Sequence, residues 1–294
     1  MDICRCEVFD ANGTNPRLRW WSATDAPVQE RRLDRAEMEA WAARVESDYQ
    51  TLAPDLTGLG DSLYQWLDGP TQRWLEAARS RQQPIALYID VQERLRGLPW
   101  ELIFADAFLS VHPARPVIPV RAASPRDGSG KRAPQNRPLR VLFMASSPDG
   151  VKPVLDFERE ESEILAAAPG RVEVVVEESG SVAGLAERLD WFGPDYFDVL
   201  HLSGHSTVGP AGPQFVMEDD AGLRSDAAAS DIAAAVGGNW PRLVFVSGCS
   251  TGQSPESGLV ASMAESLVDA GAPAVLGWAL PVGDQSASQL ASSL

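Results

Sequence analysis

Two short apolar segments each end in a glycine that is followed by a side chain capable of covalent chemistry. Residues 198–206 read DVLHLSGHS, and residues 242–252 read RLVFVSGCSTG. Runs of Val, Leu and Phe bounded by glycine are typical of buried parallel strands. In open parallel sheets, functional residues lie just past the carboxyl ends of the strands. The pattern therefore predicts that the imidazole of His205 and the thiol of Cys249 meet at one sheet edge, where a base activates a thiol.

The turn around Cys249 allows more than one interpretation. A lone cysteine can be a buried core thiol, and a cysteine in a tight turn of small residues can be a nucleophile. Residues 248–252, GCSTG, also match the G-x-S-x-G elbow that would make Ser250 the nucleophile. That elbow requires a later histidine in the chain, and no histidine follows residue 250. The order of residues therefore disfavours a serine hydrolase.

The three histidines lie at positions 112, 201 and 205. His201 and His205 are four residues apart on a predicted strand, where they would be separated by roughly 13 Å. No carboxylate cluster accompanies them, so we expect no metal site. We expect His201 to be a core residue, His112 to be structural, and His205 to be exposed beyond a strand that ends at Ser203.

Composition and charge exclude several classes of function. The net charge of −16 argues against nucleic-acid binding, which depends on clustered basic side chains. No apolar run approaches the ~20 residues of a membrane span, and no secretory signal is evident. Three cysteines make no disulfide framework, which favours a reducing cytoplasm. Cys4 and Cys6 share one face of a predicted strand, and we expect both to be buried.

Residues 1–121 are predicted to form an α+β region, followed by a linker or loop over residues 122–138 that is rich in Ser, Pro, Gly, Lys and Arg. The predicted strands of this region are Ile3–Phe9, Leu18–Ser22, Val28–Leu33, Pro84–Val91, Phe108–Val111 and Val117–Val120. The predicted helices are Arg35–Leu52, Leu56–Leu67 and Thr71–Ser80, with a further short helix that opens within residues 98–103.

Residues 139–294 alternate strand and helix, which predicts an α/β domain with a mostly parallel sheet flanked by helices. The predicted strands are Leu139–Ser146, Arg171–Val176, Phe197–Ser203, Leu243–Ser247 and Ala274–Trp278. The predicted helices are Asp156–Ala168, Ser181–Phe192, Ser225–Val236, Gly258–Ala270 and Gln285–Leu294. Because no strand follows the last helix, we expect the domain to be truncated at its C-terminus.

Three motifs in the second half of the chain carry a resemblance to a known family. They are HLSGH at 201–205, FVSGCSTG at 245–252 and GAPAVLGW at 271–278. Together they resemble the CHAT-domain family of caspase-like cysteine proteases, and LPWEL at 98–102 is similar to that family's N-terminal region. The similarity covers about residues 84–294 and implies a caspase-like fold.

The resemblance implies roles for individual residues. His205 would be the catalytic histidine and Cys249 the nucleophile, with the backbone N–H groups of Cys249 and Ser206 forming the oxyanion hole. Ser206 stands where family members usually have glycine, so a positive φ there would be strained. The resemblance implies no cofactor, and the sequence identifies no third member of a catalytic triad.

Similarity to separase implies that an acidic side chain binds a basic residue before the cleaved bond. Asp284 is the first candidate and Asp149 and Asp156 are the next, although each could be a solvated loop acid. The resulting hypothesis is a bacterial regulatory or defence endopeptidase that cleaves a partner protein after Arg or Lys. A sensor domain or partner protein would control its activity. The alternatives are a non-catalytic scaffold that binds peptides and a small-molecule amidase.

Overall fold

The computed structural model forms two compact units, residues 1–126 and 127–294. The described residues are 1–10, 16–22, 28–49, 51, 53–91, 95–122, 135–209, 212–249 and 259–278, with the backbone alone described at 208, 249 and 259–262.

The first unit is a five-stranded sheet with helices. Its strands are β1 (Asp2–Phe9), β2 (Arg17–Ser22), β3 (Gln29–Arg32), β4 (Ile85–Asp90) and β5 (Val117–Arg121), in the order β3-β2-β1-β4-β5. Its helices are α1 (Arg35–Tyr49), α2 (Leu56–Asp68) and α3 (Trp74–Arg79). Strand β1 is antiparallel to β2 and parallel to β4, and β5 is parallel to β4. This unit therefore combines an antiparallel edge with a parallel one.

Side-chain alternation along the strands places the core of the first unit on one face of its sheet. Cys4 and Cys6 are both fully buried on β1, and Leu63 and Leu67 of α2 belong to the same apolar cluster. The prediction that both cysteines are buried on one strand face is confirmed. Both thiols are free.

One predicted strand of this unit is wrong. Leu109–Val111 is a single 3₁₀ turn, and Phe108 makes only an isolated bridge with Phe104. The hydroxyl of Ser110 donates to the carbonyl of Glu101, which holds this segment as a turn. An apolar run of four residues is too short for periodicity to distinguish a strand from a helical turn.

The second unit contains the larger sheet. Its strands are β6 (Leu139–Ala145), β7 (Val172–Glu177), β8 (Val199–Gly209), β9 (Gly212–Glu218), β10 (Arg224–Ala228), β11 (Leu243–Cys249) and β12 (Val275–Gly277). Its helices are α4 (Phe157–Ala167), α5 (Val182–Phe192), α6 (Ala229–Val236) and α7 (Leu259–Asp269). Strands β7, β6, β8, β11 and β12 are successive parallel neighbours. The predicted fold class, a mostly parallel sheet flanked by helices, is confirmed.

Helices cover both faces of this sheet. On one face Ile164 of α4 packs in a cluster with Phe143 and Phe245. On the other face α5, α6 and α7 contribute to the cluster that contains Leu142 and Leu200. Ser181 caps α5 by accepting a hydrogen bond from Gly184 N–H.

The sequence did not predict the antiparallel hairpin formed by β9 and β10. The predicted helix Ser225–Val236 is wrong over its first residues, because Arg224–Ala228 pairs with β9 and α6 begins only at Ala229. The carboxylate of Asp231 accepts the N–H of Ala228 at 2.8 Å and caps the helix there. Strand β10 reads RSDAA and lacks the β-branched and aromatic residues that signal a strand.

Candidate functional site

Strand β8 runs past the end of β6, and its two halves have different neighbours. Residues 199–203 pair in parallel with β6, and residues 205–209 pair with the antiparallel strand β9 on the same side. The prediction that β8 ends at Ser203 and leaves His205 exposed is wrong. His205 lies within the strand and is 5% exposed, because β9 continues the pairing where β6 stops.

The register of β8 and β11 brings the two predicted catalytic positions together. The strands are parallel, and the Cα partner of Cys249 is His205, while that of Gly248 is Gly204. Neighbouring strands lie about 4.8 Å apart, and residues at the same level of a parallel pair project to the same face. The backbone therefore places residues 205 and 249 side by side.

Other side chains come close to the glycine that precedes each of these residues, on the opposite face of the sheet. A Cβ at Gly204 would lie 2.9 Å from Cζ of Phe215, and a Cβ at Gly248 would lie 2.4 Å from Oγ of Ser206. The ring of Phe215 is fully buried and passes beneath both positions. The Gly-His and Gly-Cys pairs in the sequence are thus a packing requirement of this part of the sheet.

The ring of His205 is oriented by a backbone carbonyl. Its Nε2 lies 2.8 Å from the carbonyl oxygen of Pro153, which follows β6 in the loop that leads to α4. Because a carbonyl only accepts, Nε2 must carry a proton, and in the neutral ring Nδ1 then carries the lone pair. Nδ1 is buried and has no hydrogen-bond partner among the described residues. The imidazole is therefore held with a free basic nitrogen.

Beneath His205, a buried polar cluster lies on the α4 face of the sheet. The hydroxyl of Ser203 donates to Glu160 Oε2. Nε2 of His201 lies 3.2 Å from Glu160 Oε1, an ion-pair distance without hydrogen-bond geometry. The ring of His201 packs against Phe143 and Phe245, with centroid distances of 5.0 and 4.6 Å. The prediction that His201 is a core residue is confirmed.

His112 belongs to the first unit, and its Nδ1 accepts the N–H groups of Ala114 and Arg115 at 3.3 and 3.2 Å. It closes a local turn, in agreement with the predicted structural role.

The backbone at Ser206 does not have a positive φ, which would be strained in any residue other than glycine. Among the described residues, the non-glycine residues with positive φ are Arg73, Gln82 and Asp195. Ser206 therefore adopts ordinary strand geometry. Its Oγ is buried on the Phe215 face and has no hydrogen-bond partner among the described residues.

The candidates for a basic-residue pocket have different surroundings. Asp149 is exposed after β6, and its N–H donates to the carbonyl of Gly222 at 3.0 Å. Asp156 caps α4 by accepting Arg159 N–H at 3.2 Å. Asp284 lies outside the described residues. The described part of the chain contains no group of three or more His, Cys, Asp or Glu side chains arranged to hold a metal ion.

Two contributors to the site were absent from the sequence interpretation. Pro153 acts through its backbone carbonyl, which leaves no side-chain signature in a sequence. Glu160 occupies a core-facing position of α4, at helical spacing from Phe157 and Ile164. The signal for Glu160 in the sequence was an acidic residue on an otherwise apolar helix face.

Comparison with known proteins agrees with this architecture. Residues 57–294 match the sequence profile of the CHAT domain, a caspase-like family related to cysteine proteases. No curated protein matches the chain significantly. Among the described residues, no helix is long and apolar enough to cross a membrane.

Proposed function

Because the chain belongs to the CHAT-domain family, we propose that it is a cysteine endopeptidase whose catalytic dyad is His205 and Cys249. One observation carries this proposal: the Pro153 carbonyl holds Nε2–H of His205 and leaves Nδ1 as an acceptor at the level of Cys249. A nucleophilic thiol needs a base within reach, and an oriented imidazole meets that need.

In the proposed mechanism the Cys249 thiol transfers its proton to Nδ1 of His205, and the thiolate attacks the scissile carbonyl. The resulting imidazolium then protonates the leaving amine as the acyl-enzyme forms. Neutral His205 next takes a proton from water, which attacks the acyl group. The carbon–sulfur bond breaks and releases the acid, and His205 returns its proton to the Cys249 thiolate. The carbonyl of Pro153 keeps the ring aligned through these steps, as the third member of the constellation.

We propose that the backbone N–H of Ser206 contributes to an oxyanion hole. The carbonyl of Ser203 accepts from Ser146 N–H on the β6 side. Backbone groups alternate in direction along a strand, so the N–H of Ser206 points to the other side, toward β11. The register places this N–H opposite the carbonyl of Cys249. We expect the last residues of the two strands to separate when substrate binds, which fits a regulated enzyme.

The proposed substrate is a protein cleaved after Arg or Lys, with Asp284, Asp149 or Asp156 as the acid that binds the basic side chain. Asp149 has the better-supported position of the two described candidates, because its carboxylate does not cap a helix. We further propose a regulatory or defence role in a bacterial cytoplasm, with a sensor domain or partner protein as the activator.

Activity-based labelling tests the proposal. Peptidyl ketone probes with Arg or Asp before the ketone would be incubated with the wild type, Cys249→Ala, His205→Ala and the control His112→Ala. We expect the Arg probe to label the wild type and the control. We expect Cys249→Ala to abolish labelling and His205→Ala to slow it by about 10²–10⁴-fold. Preference for the Asp probe would contradict the substrate class.

Cleavage of a peptide library distinguishes the remaining functions. An endopeptidase cuts peptides of several residues, whereas an amidase cuts only small amides. Wild-type protein that binds peptides but neither cleaves them nor reacts with either probe, with and without a cellular activator fraction, would favour the scaffold and overturn the proposal.

A further inference from the structure

Strand β8 carries a row of buried polar side chains on the face that α4 covers. His201, Ser203 and His205 occupy alternate positions, so they share one face, and they are 3%, 2% and 5% exposed. Leu200 and Leu202, which flank His201, belong to the apolar cluster on the opposite face. Burying three successive polar side chains on one face of a central strand costs free energy unless each side chain has a polar partner.

One continuous segment, residues 153–160, hydrogen-bonds two of these side chains and lies close to the third. The carbonyl of Pro153 accepts from Nε2 of His205 at 2.8 Å. The carboxylate of Glu160 accepts from the hydroxyl of Ser203 and lies 3.2 Å from Nε2 of His201. The start of α4 and the loop before it are therefore attached to β8 by two hydrogen bonds and contact it at a third level.

Glu160 differs from its neighbours on α4 because its side chain is almost fully buried. It is 4% exposed, whereas Glu158 in the same turn is exposed. A carboxylate is expensive to bury unless donors satisfy it, so its position is tied to the partners on β8. Displacing Glu160 from these partners would displace the first turn of α4.

Short-range hydrogen bonds connect Glu160 to Asp156, and the covalent chain connects Asp156 to Pro153. The N–H of Glu160 donates to the carbonyl of Asp156 at 3.2 Å, and the Asp156 side chain accepts from Arg159 N–H at 3.2 Å. Pro153 lies three residues before Asp156. The contact of Glu160 with β8 therefore limits where the Pro153 carbonyl can lie.

We propose that Glu160 is a positioning residue for His205. Its carboxylate docks the first turn of α4 on Ser203 and His201, and this docking keeps the Pro153 carbonyl on Nε2 of His205. The Nε2–H tautomer is thereby fixed, and Nδ1 remains available to the thiol. The consequence for catalysis rests on the proposed function, but the effect on the tautomer does not.

Nuclear magnetic resonance of the full chain with ¹⁵N-labelled histidine tests this directly, because the chain contains only three histidines. The variants are Glu160→Gln, Glu160→Met and Ser203→Ala, with Glu158→Gln as a control that removes an exposed charge from the same turn. We expect the wild type and Glu158→Gln to show His205 as the Nε2–H tautomer alone. We expect Glu160→Met to give mixed tautomers and Glu160→Gln, which keeps an acceptor for Ser203, a smaller change.

A His205 signal that stays entirely Nε2–H in folded Glu160→Met and Ser203→Ala would overturn the proposal. If Glu160→Met does not fold, the milder Ser203→Ala decides by the same criterion. In the cleavage assay we expect kcat of Glu160→Met to fall about 10²-fold, as misplaced catalytic groups do, with KM within about twofold. An inactive wild type that still shows the tautomer change would refute the protease function and retain the positioning role.

Discussion

Substitution of Gly248 by alanine tests the energetic effect of the close approach of β8 and β11 on the Phe215 face. The added Cβ would lie 2.4 Å from Ser206 Oγ and 3.2 Å from Phe215 Cε2. The first distance is about 1 Å inside ordinary van der Waals contact at ~3.5 Å, so the Ser206 hydroxyl or the strand spacing must shift. Overpacking of this kind costs about 1–3 kcal/mol. We therefore expect Gly248→Ala to destabilise the second unit by that amount.

A second substitution should reverse most of this loss. Ser206→Gly removes the atom at 2.4 Å and leaves the Phe215 contacts at 3.2 and 3.6 Å. Alone, Ser206→Gly should lower the stability of the second unit by about 0.5–1 kcal/mol, because glycine weakens a strand. In the double variant we expect a coupling energy of about 1 kcal/mol or more. Gly204→Ala is the matched control, since the nearest atoms to its Cβ belong to Phe215 and Ser146.

The assay is hydrogen–deuterium exchange with mass spectrometry, read from peptides that cover β8 and β11. This local measurement avoids the two-state assumption, which a chain of two compact units can violate. The free energy of opening of these amides should show coupling between residues 206 and 248 and none between residues 206 and 204. If both double variants are additive within about 0.5 kcal/mol, the packing argument for the glycine before Cys249 is wrong.

Two further predictions concern charged and thiol groups. The carboxylate of Asp198, just before β8, accepts a hydrogen bond from Arg137 at 2.6 Å. Arg137→Ala should therefore lower the free energy of unfolding, measured with urea, by about 1–3 kcal/mol. An unchanged urea midpoint would contradict this. Burial raises the pKa of Cys4 to about 11 and of Cys6 to about 12. Brief alkylation of the native protein at pH 8 should therefore modify Cys249 alone, and modification of the other two at the rate of the unfolded chain would refute their burial. Above pH 9.0, their ordinary pKa, the unfolded chain releases thiol protons that the folded protein retains, so stability should fall as pH rises from 9.0 toward 11.

The sequence predicted the parallel sheet because its signals are local and strong. Strands β6, β7, β8 and β11 are runs of Val, Leu and Phe, and each predicted strand overlaps the observed one. The motifs predicted that residues 205 and 249 meet at one sheet edge, and the observed register pairs these two residues directly. At these positions the glycines are required by packing and precede the two proposed catalytic residues, so two short motifs were enough to predict where the strands meet.

The end of β8 could not be predicted in the same way, because it depends on a partner that lies elsewhere in the chain. Residues 206–209 read STVG and remain in the strand only because β9 pairs with them. Strand β9 begins at Gly212 and includes Pro213, and glycine and proline usually signal a loop. A non-local pairing thus overrode local composition and changed His205 from an exposed residue to a buried one.

The buried row on β8 suggests how such sites can be recognised in a sequence. On α4, Phe157, Glu160 and Ile164 follow the i, i+3, i+7 spacing of a core-facing stripe, so Glu160 occupies a position where an apolar side chain is expected. On β8, His201, Ser203 and His205 interrupt one face of an otherwise apolar strand. Each anomaly alone is ambiguous, but a buried acid requires donors and buried donors require an acceptor. An acidic residue on the apolar face of a helix and polar residues at alternate strand positions therefore predict each other as contacts. Here that contact lies beneath the proposed catalytic pair.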